Sequence, residues 1–306
     1  MKAMLQKSLT ILLLITLLPL TAFVFQSNNK NGRRFKIYDK TWQKTLQLSA
    51  KEYVLGALCC EMPPTFHSQA LIAQAVAIYT NALRSQSAGE DIVTTAESGK
   101  YIGYAAPEQF QDRWGKRYTQ YRQKMCNAVE QALYKVITYD GKPILAAYHA
   151  MSGGKTEAAE NVWGQAVPYL TAVESEGDLF CSQYETIVTL PTQKAREMLT
   201  SAYENIKLPE NDAQLLTQIE TSPSGTVLQV MAGNTKIRGQ QLRTLFSLRS
   251  AVFTVSVSDG KLTFTVHGYG HGVGLSQYGA DFMARQGADY RAILAHYYSG
   301  TELMQS

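Results

Sequence analysis

The sequence has few charged residues, few cysteines and none of several common enzyme motifs. Charged residues make up 18% of the 306 positions and the net charge is +4. So small an excess argues against a dedicated nucleic-acid-binding protein. The four cysteines include no Cys-x-x-Cys pair, which argues against a zinc ribbon or a thioredoxin-type site. Neither His-Glu-x-x-His nor Gly-x-Ser-x-Gly occurs. Hydrophobic residues make up 45%, enough for a sizeable core, so the chain is not disordered.

The first 34 residues are expected to lie outside the folded domain. Leu9–Phe25 is a 17-residue apolar run with basic residues on both sides, and it would be about 25 Å long as a helix. No Ala-x-Ala cleavage site follows the run, which favours a retained single-span membrane anchor, with a cleaved signal peptide as the alternative. In both cases we expect an extracytoplasmic protein. Residues 35–47 are predicted to be a linker and 48–306 the catalytic domain.

The cysteines of an exported protein allow two interpretations. A disulfide between Cys126 and Cys181 is possible, and buried free thiols are the alternative, above all for the adjacent pair Cys59 and Cys60.

Helical and hairpin patterns are mixed along the rest of the chain, and parallel βαβ units are scarce. Ser49 and Glu52 form a capping-box pattern that opens a helix, and Pro63-Pro64 ends that helix near Met62. Further helices are predicted over 68–84, over 107–134 as one or two helices, over 192–220 with a break at Pro209, and over 290–298. Hairpins are predicted over 137–148, 227–237 and 252–266. The fold class is therefore predicted to be α+β, with mixed helices and antiparallel hairpins around one catalytic cleft.

Glu61 is the candidate catalytic carboxylate. It lies between Leu58-Cys59-Cys60 and Met62-Pro63-Pro64, and an apolar setting disfavours the charged form and raises the pKa of a carboxyl group. A raised pKa suits a general acid near neutral pH. The alternative is a glutamate at a helix end that points to solvent.

The segment Gly268–Ala280 contains the densest signal in the chain. Its repeated glycines let a backbone approach a ligand closely, and His271, Ser276, Gln277 and Tyr278 supply hydrogen-bonding groups and a stacking ring. This mixture suits a sugar. The alternative is an ordinary glycine-rich loop.

Several segments, in order, resemble the stage II sporulation protein D family. They are Tyr53–Pro63 with Gln69–Ala77, Ser152–Thr156 with Val162-Trp-Gly164 and Pro168-Tyr-Leu170, Ser222–Gly225, Leu248–Ser250, Gly268–Ala280 and Ile293–Glu302. The resemblance spans roughly residues 48–303, and the string HGVGLSQYGA is its most specific part.

The resemblance implies a lytic transglycosylase of peptidoglycan with no cofactor. Glu61, in the Glu-Met-Pro motif, corresponds to the family's catalytic acid. The substrate would be glycan strands already stripped of stem peptides, cleaved to 1,6-anhydro-muramyl ends during engulfment in sporulation. The motifs and the loop chemistry together give a candidate substrate-binding set of Gln74, Ser152, Gly153, Gly154, Thr156, His271, Gly272, Ser276, Gln277 and Tyr278.

The resemblance also implies partners in the cell. These are the amidase stage II sporulation protein P, which removes the stem peptides, and the membrane protein stage II sporulation protein M, which holds the complex at the engulfing membrane. No nucleic acid is implied.

The sequence departs from the family pattern at two places. Ile78-Tyr-Thr-Asn81 stands where the family often has Ala-Arg-Thr-Tyr, so an arginine is missing. Residues 85–110 contain neither the Cys nor the His of the zinc cluster found in clostridial members, so no zinc is expected there.

Two alternative functions remain open at the level of sequence. The chain could be a non-catalytic glycan-binding or amidase-activating module of the same family, since the family includes amidase enhancers with the same glycine-rich loop. It could also be a cysteine peptidase or amidase that uses Cys60 with His271, although nothing in the sequence orients that pair.

Overall fold

The computed structural model describes residues 32–96 and 102–306. Within them the helices are α1 (Ala50–Glu61), α2 (Ser68–Ser87), α3 (Gln111–Trp114), α4 (Tyr118–Ala132), α5 (Ala159–Trp163), α6 (Thr192–Ala202), α7 (Gly239–Leu245), α8 (Gln277–Arg285) and α9 (Tyr290–Tyr297). Short 3-10 helices cover Pro107–Phe110, Gly115–Arg117, Glu176–Phe180 and Asp212–Gln214.

The strands of the same residues are β1 (Arg34–Asp39), β2 (Lys44–Ser49), β3 (Ile92–Thr95), β4 (Ile102–Gly103), β5 (Lys135–Tyr139), β6 (Lys142–Pro143), β7 (Tyr148–His149), β8 (Glu185–Pro191), β9 (Thr217–Thr221), β10 (Val227–Ala232), β11 (Thr235–Arg238), β12 (Val252–Ser258), β13 (Lys261–His267), β14 (Leu275–Ser276) and β15 (Glu302–Gln305).

Small sheets and helices pack together, which confirms the predicted α+β class. The sheets have the strand orders β2-β1-β3-β4, β15-β5-β6, β12-β13-β8, β11-β10-β9 and β14-β7. Most neighbouring strands run antiparallel, whereas β1 with β3, β3 with β4 and β7 with β14 run parallel. The hairpins predicted at 227–237 and 252–266 are present, with β10 pairing β11 and β12 pairing β13.

The larger hydrophobic core surrounds α2, whose residues from Ala70 to Thr80 are all buried. Helix α1 packs on it and begins as predicted, because Ser49 Oγ accepts from the Glu52 N–H while Glu52 closes the capping box on the Ser49 N–H. At the other end Met62 is the C-cap, and its N–H still donates to the Leu58 carbonyl oxygen at 3.0 Å. Glu61 is therefore the last helical residue, at the point where the chain leaves the core.

A second, smaller core lies between the sheets β12-β13-β8 and β11-β10-β9 and the helices α6 and α7. Phe264 is its most central aromatic residue, fully buried, with the rings of Phe246 and Phe253 at centroid distances of 5.1 and 5.4 Å. The two cores form two lobes, and the segments that return from the second lobe to the first carry the glycine-rich loop.

Two local predictions were wrong, and a third is confirmed only in part. Residues 35–47 are not a linker, because Phe35 and Ile37 alternate into the large core and β1 pairs with β2. Residues 192–220 are helical only as far as Ala202, and Thr217–Thr221 is a strand paired with β10. The hairpin at 137–148 is present but short. β5 pairs with β6 at Thr138–Pro143 and Tyr139–Lys142, and the Ile144 N–H donates to the Ile137 carbonyl at 3.1 Å, but the Ile137 N–H donates to Thr80 Oγ1 and not to the opposite strand.

The remaining expectations concern the cysteines and the membrane anchor. All four cysteines lie in the described residues and are free thiols, so no Cys126–Cys181 disulfide is present. The apolar run Leu9–Phe25 lies outside the described residues, and the anchor stays a prediction. In residues 32–96 and 102–306, no helix has the length and apolarity needed to cross a bilayer.

Substituting Gly56 in α1 with alanine should destabilise the protein. A Cβ at this position would lie 2.7 Å from the Ala105 carbonyl oxygen and 2.4 Å from Cε2 of Tyr104. Alanine normally stabilises a helix interior by about 0.5–1 kcal/mol relative to glycine, but this overlap should reverse the sign and cost about 1–3 kcal/mol. Urea unfolding measures the difference. Ser87→Ala, at an exposed helical position, should change the free energy of unfolding by no more than about 0.5 kcal/mol. A more stable Gly56→Ala variant would contradict the packing described for α1.

Candidate functional site

A cleft made of two adjoining cavities lies between the lobes. The larger cavity has a volume of about 820 Å³ and the smaller about 420 Å³. Five residues line both cavities: Glu61, Ala150, Arg249, Tyr269 and Gln277. Glu61 therefore lies where the two cavities meet, and a linear ligand could extend from it in both directions.

Glu61 is held in place by the backbone. The N–H of Gly103, on β4, donates to Glu61 Oε1 at 2.7 Å. Glu61 is partly buried at the end of α1, whose preceding turns are packed into the large core. Because both the helix end and the β4 amide are fixed by that packing, the carboxylate is positioned before any ligand binds.

The groups that surround Glu61 stay protonated. Burial first, and the charge of Glu61 second, raises the pKa of Cys60 to about 12. The same causes, in the same order, raise the pKa values of Tyr53 and Tyr148 well above the usual range. Cys60 is therefore a neutral thiol. It lines the smaller cavity while His271 lines the larger one, which removes the basis for a Cys60–His271 nucleophilic pair.

The glycine-rich loop lines the cleft together with Glu61, and it is held there by pairing with the segment 147–157. The N–H of Tyr269 donates to the Met151 carbonyl at 2.7 Å, and the Met151 N–H donates back to the Tyr269 carbonyl at 3.1 Å. Gly274, with φ +74°, allows this close approach, since a Cβ there would lie 2.2 Å from the Ala147 carbonyl oxygen. The loop glycines serve contact with the protein's own backbone, and side chains of the loop then face the cleft.

Two histidines of the larger cavity have their tautomers set by one residue. The Val273 N–H donates to His271 Nδ1 at 3.0 Å, and His149 Nδ1 lies 3.2 Å from the Val273 carbonyl oxygen, so we assign the proton of His149 to Nδ1. Burial lowers the pKa of His149 to about 4 and that of His271 to about 3. Both rings are therefore neutral at physiological pH. Nε2 of His149 is a buried acceptor that has no hydrogen-bond partner within the described structure.

The candidate residues divide into three groups. Glu61, His271, Gln277 and Tyr278 line the cleft. Gln74 lies behind the cleft wall, fully buried, and its Oε1 accepts from Gln277 Nε2 at 3.4 Å. Six lie away from the two cavities: Ser152, Gly153, Gly154, Thr156, Gly272 and Ser276.

The buried hydroxyl groups of this last set hold the cleft walls together. Asp178, fully buried, accepts from Ser152 Oγ at 2.6 Å and from Ser276 Oγ at 2.7 Å. The Thr156 carbonyl accepts from Ser224 Oγ, on the second lobe, at 2.8 Å. Substrate binding by these residues stays a prediction. The hydrogen bonds that they form in the structure connect parts of the fold to each other.

Sequence reasoning missed several cleft residues, among them Tyr148, His149, Arg243, Arg249 and Tyr269. Signals existed for four of these, since Tyr148-His149 lies just before the Ser152–Thr156 motif, Tyr269 is inside the glycine-rich loop and Arg249 is in a matched segment. Arg243 lies on α7 in an ordinary amphipathic pattern, and no local signal marks it.

Comparison with known proteins gives the family. The family model SpoIID, described as stage II sporulation protein, matches residues 38–139. Stage II sporulation protein D of Bacillus amyloliquefaciens is 32% identical over 278 residues, which cover 88% of this chain and 78% of that protein. The protein of the same name from Bacillus subtilis is 32% identical with the same coverage. The chain belongs to the stage II sporulation protein D family.

The chain is also similar in sequence to a protein with a different name. An amidase enhancer of Bacillus subtilis is 29% identical to this SpoIID-family chain, over 81% of it and 40% of the enhancer. The family model covers α1, Glu61 and α2, whereas the relatives' alignments are long enough to include most of the chain. Among the described residues of this SpoIID-family protein, no three His, Cys, Asp or Glu side chains are grouped so as to hold a metal ion.

The stability of the protein should fall as pH decreases from about 6.5 to about 4. His149 has a folded-state pKa of about 4, below the ordinary 6.5, so in this range the unfolded chain takes up a proton that the folded chain does not. Each pKa unit is worth about 1.4 kcal/mol, so the loss should approach 3 kcal/mol for this residue. Urea unfolding at several pH values measures it.

The matched variants are His149→Gln and His67→Gln, the latter at an exposed position. The first should remove the contribution of His149 from the pH dependence of the free energy of unfolding and leave that of His271, whose pKa is also lowered by burial. The second should not reproduce this reduction. Equal slopes for wild type and His149→Gln would show that His149 titrates normally in the folded protein.

Proposed function

We propose that this SpoIID-family protein is a peptidoglycan lytic transglycosylase that cleaves peptide-free glycan strands, with Glu61 as general acid and then general base. The observation that carries the proposal is the position of Glu61 where the two cavities meet. It is the sole carboxylate among the described residues that line them.

A single carboxylate suits this reaction better than hydrolysis. Glycoside hydrolases generally use two carboxyl groups, one to protonate the leaving oxygen and one to attack the sugar or to activate water. In a lytic transglycosylase the C6 hydroxyl of the muramic acid residue attacks its own C1, so the substrate supplies the nucleophile. The attack is intramolecular and benefits from proximity.

The proton transfers then fall to one side chain. Glu61 donates its proton to the bridging oxygen as the glycosidic bond breaks, and the resulting carboxylate removes the proton of the C6 hydroxyl as that oxygen bonds to C1. The Gly103 N–H, 2.7 Å from Oε1, keeps the carboxyl group oriented through both steps. Apolar lining at Ile102 and Leu248 favours exclusion of water, which would otherwise compete for C1.

Tyr269 offers a face for a sugar ring. Its side chain is 48% exposed and lines both cavities, and the guanidinium carbon of Arg249 lies 4.4 Å from the ring centroid. The cation–π contact fixes the orientation of the ring. Gln277 and His271 then provide polar groups on the same wall for sugar hydroxyl and acetamide groups.

The second candidate is a non-catalytic glycan-binding or amidase-activating module. The similarity to an amidase enhancer favours it, and a cleft can bind glycan without cleaving it. The two functions differ in whether new anhydro ends form when the purified protein acts alone.

The cellular role is proposed from family membership. In this role the protein acts in engulfment during sporulation, anchored by its N-terminal apolar run with the catalytic domain outside the cytoplasm, beside stage II sporulation proteins P and M. Tethering enzyme and amidase to one membrane raises their effective concentration.

A secreted fragment of residues 34–306 should therefore cleave glycan in vitro but fail to restore engulfment at native expression. Full restoration of engulfment by this fragment would refute tethering.

Replacing Glu61 with glutamine should abolish cleavage while leaving the fold and glycan binding intact. The amide keeps the shape of the side chain but can neither donate nor accept the proton, and general acid–base catalysis contributes about 10²–10⁴-fold in rate. Release of anhydro-muramyl products from peptide-free glycan measures the loss. Glu160→Gln, at an exposed position on α5, is the control and should retain wild-type turnover. Wild-type product yield from Glu61→Gln would end the assignment.

Replacing Tyr269 with alanine should weaken glycan binding about 3- to 10-fold, since aromatic stacking is worth about 0.5–1.5 kcal/mol beyond buried area. Tyr269→Phe keeps the ring face and should bind nearly as well as wild type. Titration of peptide-free glycan by calorimetry measures both. Equal weakening in both variants would assign the role to the hydroxyl group, and no weakening in either would remove Tyr269 from the binding site.

A further inference from the structure

The cleft carries an excess of positive charge. Arg243 and Arg249 line the larger cavity and Arg113 and Arg249 the smaller, against one described carboxylate, Glu61. None of the ion pairs formed between described residues includes any of these three arginines. A guanidinium group stays charged under all physiological conditions, so the cleft is arranged for a ligand that brings negative charge.

Arg243 is the more enclosed of the two arginines in the larger cavity. It lies on α7, partly buried, and burial lowers its pKa. Its Nη1 donates to Gln240 Oε1 at 3.3 Å, which uses one of the five N–H groups of the side chain. A buried charge without a counter-ion is costly, and an anionic group in the cavity would offset that cost.

Arg249 is fixed in position before a ligand arrives. Its Nη1 donates to the Gln183 carbonyl at 3.1 Å, and its guanidinium group lies over the Tyr269 ring. Since a guanidinium group presents a planar fork that pairs with both oxygens of a carboxylate, an immobilised fork beside the sugar-binding face is well suited to a carboxylate carried by the sugar itself.

One group of the proposed substrate has this chemistry. The hydroxyl and acetamide groups of the glycan are neutral. The lactyl ether on C3 of muramic acid ends in a free carboxylate once the stem peptide is removed, and in an amide while the peptide is present. The muramic acid residue that reacts must place its C1 at Glu61, where the two cavities meet, and its lactyl group is on the same ring, so that group lies within the cleft beside Glu61.

We propose that Arg243 and Arg249 bind the free lactyl carboxylate of the muramic acid residue next to Glu61, so that removal of the stem peptide creates the group that the cleft recognises. The proposal rests on the proposed function for the identity of the glycan. Arg243 and Arg249 then select peptide-free glycan by its negative charge, in addition to any selection by the size of the stem peptide.

The first test compares ligands on one protein. The Glu61→Gln full-length protein, which should bind without cleaving, is titrated with peptide-free glycan, with the same glycan after conversion of its lactyl carboxylates to methylamides, and with glycan that retains its stem peptides. Charge-assisted pairing predicts binding of the methylamide glycan weaker by about 10- to 100-fold. The peptide-bearing glycan, whose lactyl carboxyl is an amide and whose carboxylates are carried by the peptide, should be weakened at least as much. Equal affinity for the charged and methylamide glycans would overturn the proposal.

The second test locates the effect. In the Glu61→Gln background, Arg243→Gln should lower affinity for the peptide-free glycan while affinity for the methylamide glycan changes little. Arg249→Gln also removes the contact that orients Tyr269, so it should weaken both ligands, and the peptide-free glycan more. In each variant the ratio between the two ligands should fall to about 3-fold or less. Arg291→Gln, whose side chain is 64% exposed on α9, is the control and should keep the full ratio. Thermal unfolding checks that each variant is folded. A full ratio in both Arg243→Gln and Arg249→Gln would overturn the assignment.

The binding measurements test this inference separately from the proposed catalytic function. If the wild-type protein forms no anhydro ends but the ligand ratio depends on the two arginines, the proposed function fails and the recognition site remains. If anhydro ends form and the ratio is absent, the function remains and this inference fails.

Discussion

Backbone pairing between the glycine-rich loop and the segment 147–157 is the constraint on which the cleft depends. Three backbone contacts hold the two segments in register. Met151 and Tyr269 pair with each other, the Glu157 N–H donates to the Gly272 carbonyl at 2.7 Å, and the Tyr278 N–H donates to the Ala150 carbonyl at 3.0 Å. A Cβ on Gly268 would lie 2.6 Å from the Ser152 carbonyl oxygen and one on Gly274 would lie 2.2 Å from the Ala147 carbonyl oxygen, so a side chain at either position would force the two segments apart. The buried carboxylate of Asp178 adds hydrogen bonds that close the same unit.

The pairing matters for chemistry because Glu61 comes from a different part of the fold. Helix α1 brings it from the large core and Gly103 orients it. The loop brings Tyr269 and Gln277 to the same cavity, and the second lobe contributes Arg243. Each element is fixed by its own core, so little reorganisation is needed on binding. Such preorganisation lowers the cost of placing a glycan for intramolecular attack.

Local rules predicted much of the fold and the central residue. The Ser49 capping box, the stop at Pro63 and the turn-flanked hairpins depend on contacts within a few residues, and all are present. The pairing of β1 with β3 and the buried roles of Ser152 and Ser276 depend on partners far along the chain, Ile92–Thr94 for the strand and Asp178 for the two serines. No local pattern reveals such partners, and for the same reason Arg243 could not be assigned to the cleft.

The most direct test of the account is the mass of the product released by the wild-type protein from peptide-free glycan strands. Intramolecular attack adds no water, so the muramyl ends should be 1,6-anhydro ends, lighter by one water molecule than reducing ends, and without label when the digest is run in ¹⁸O-water. Reducing ends that carry ¹⁸O would identify a hydrolase, for which a single carboxylate at Glu61 is not sufficient. Intact strands, with no new ends of either kind, would leave the cleft as a binding site and contradict the claim that Glu61 is catalytic.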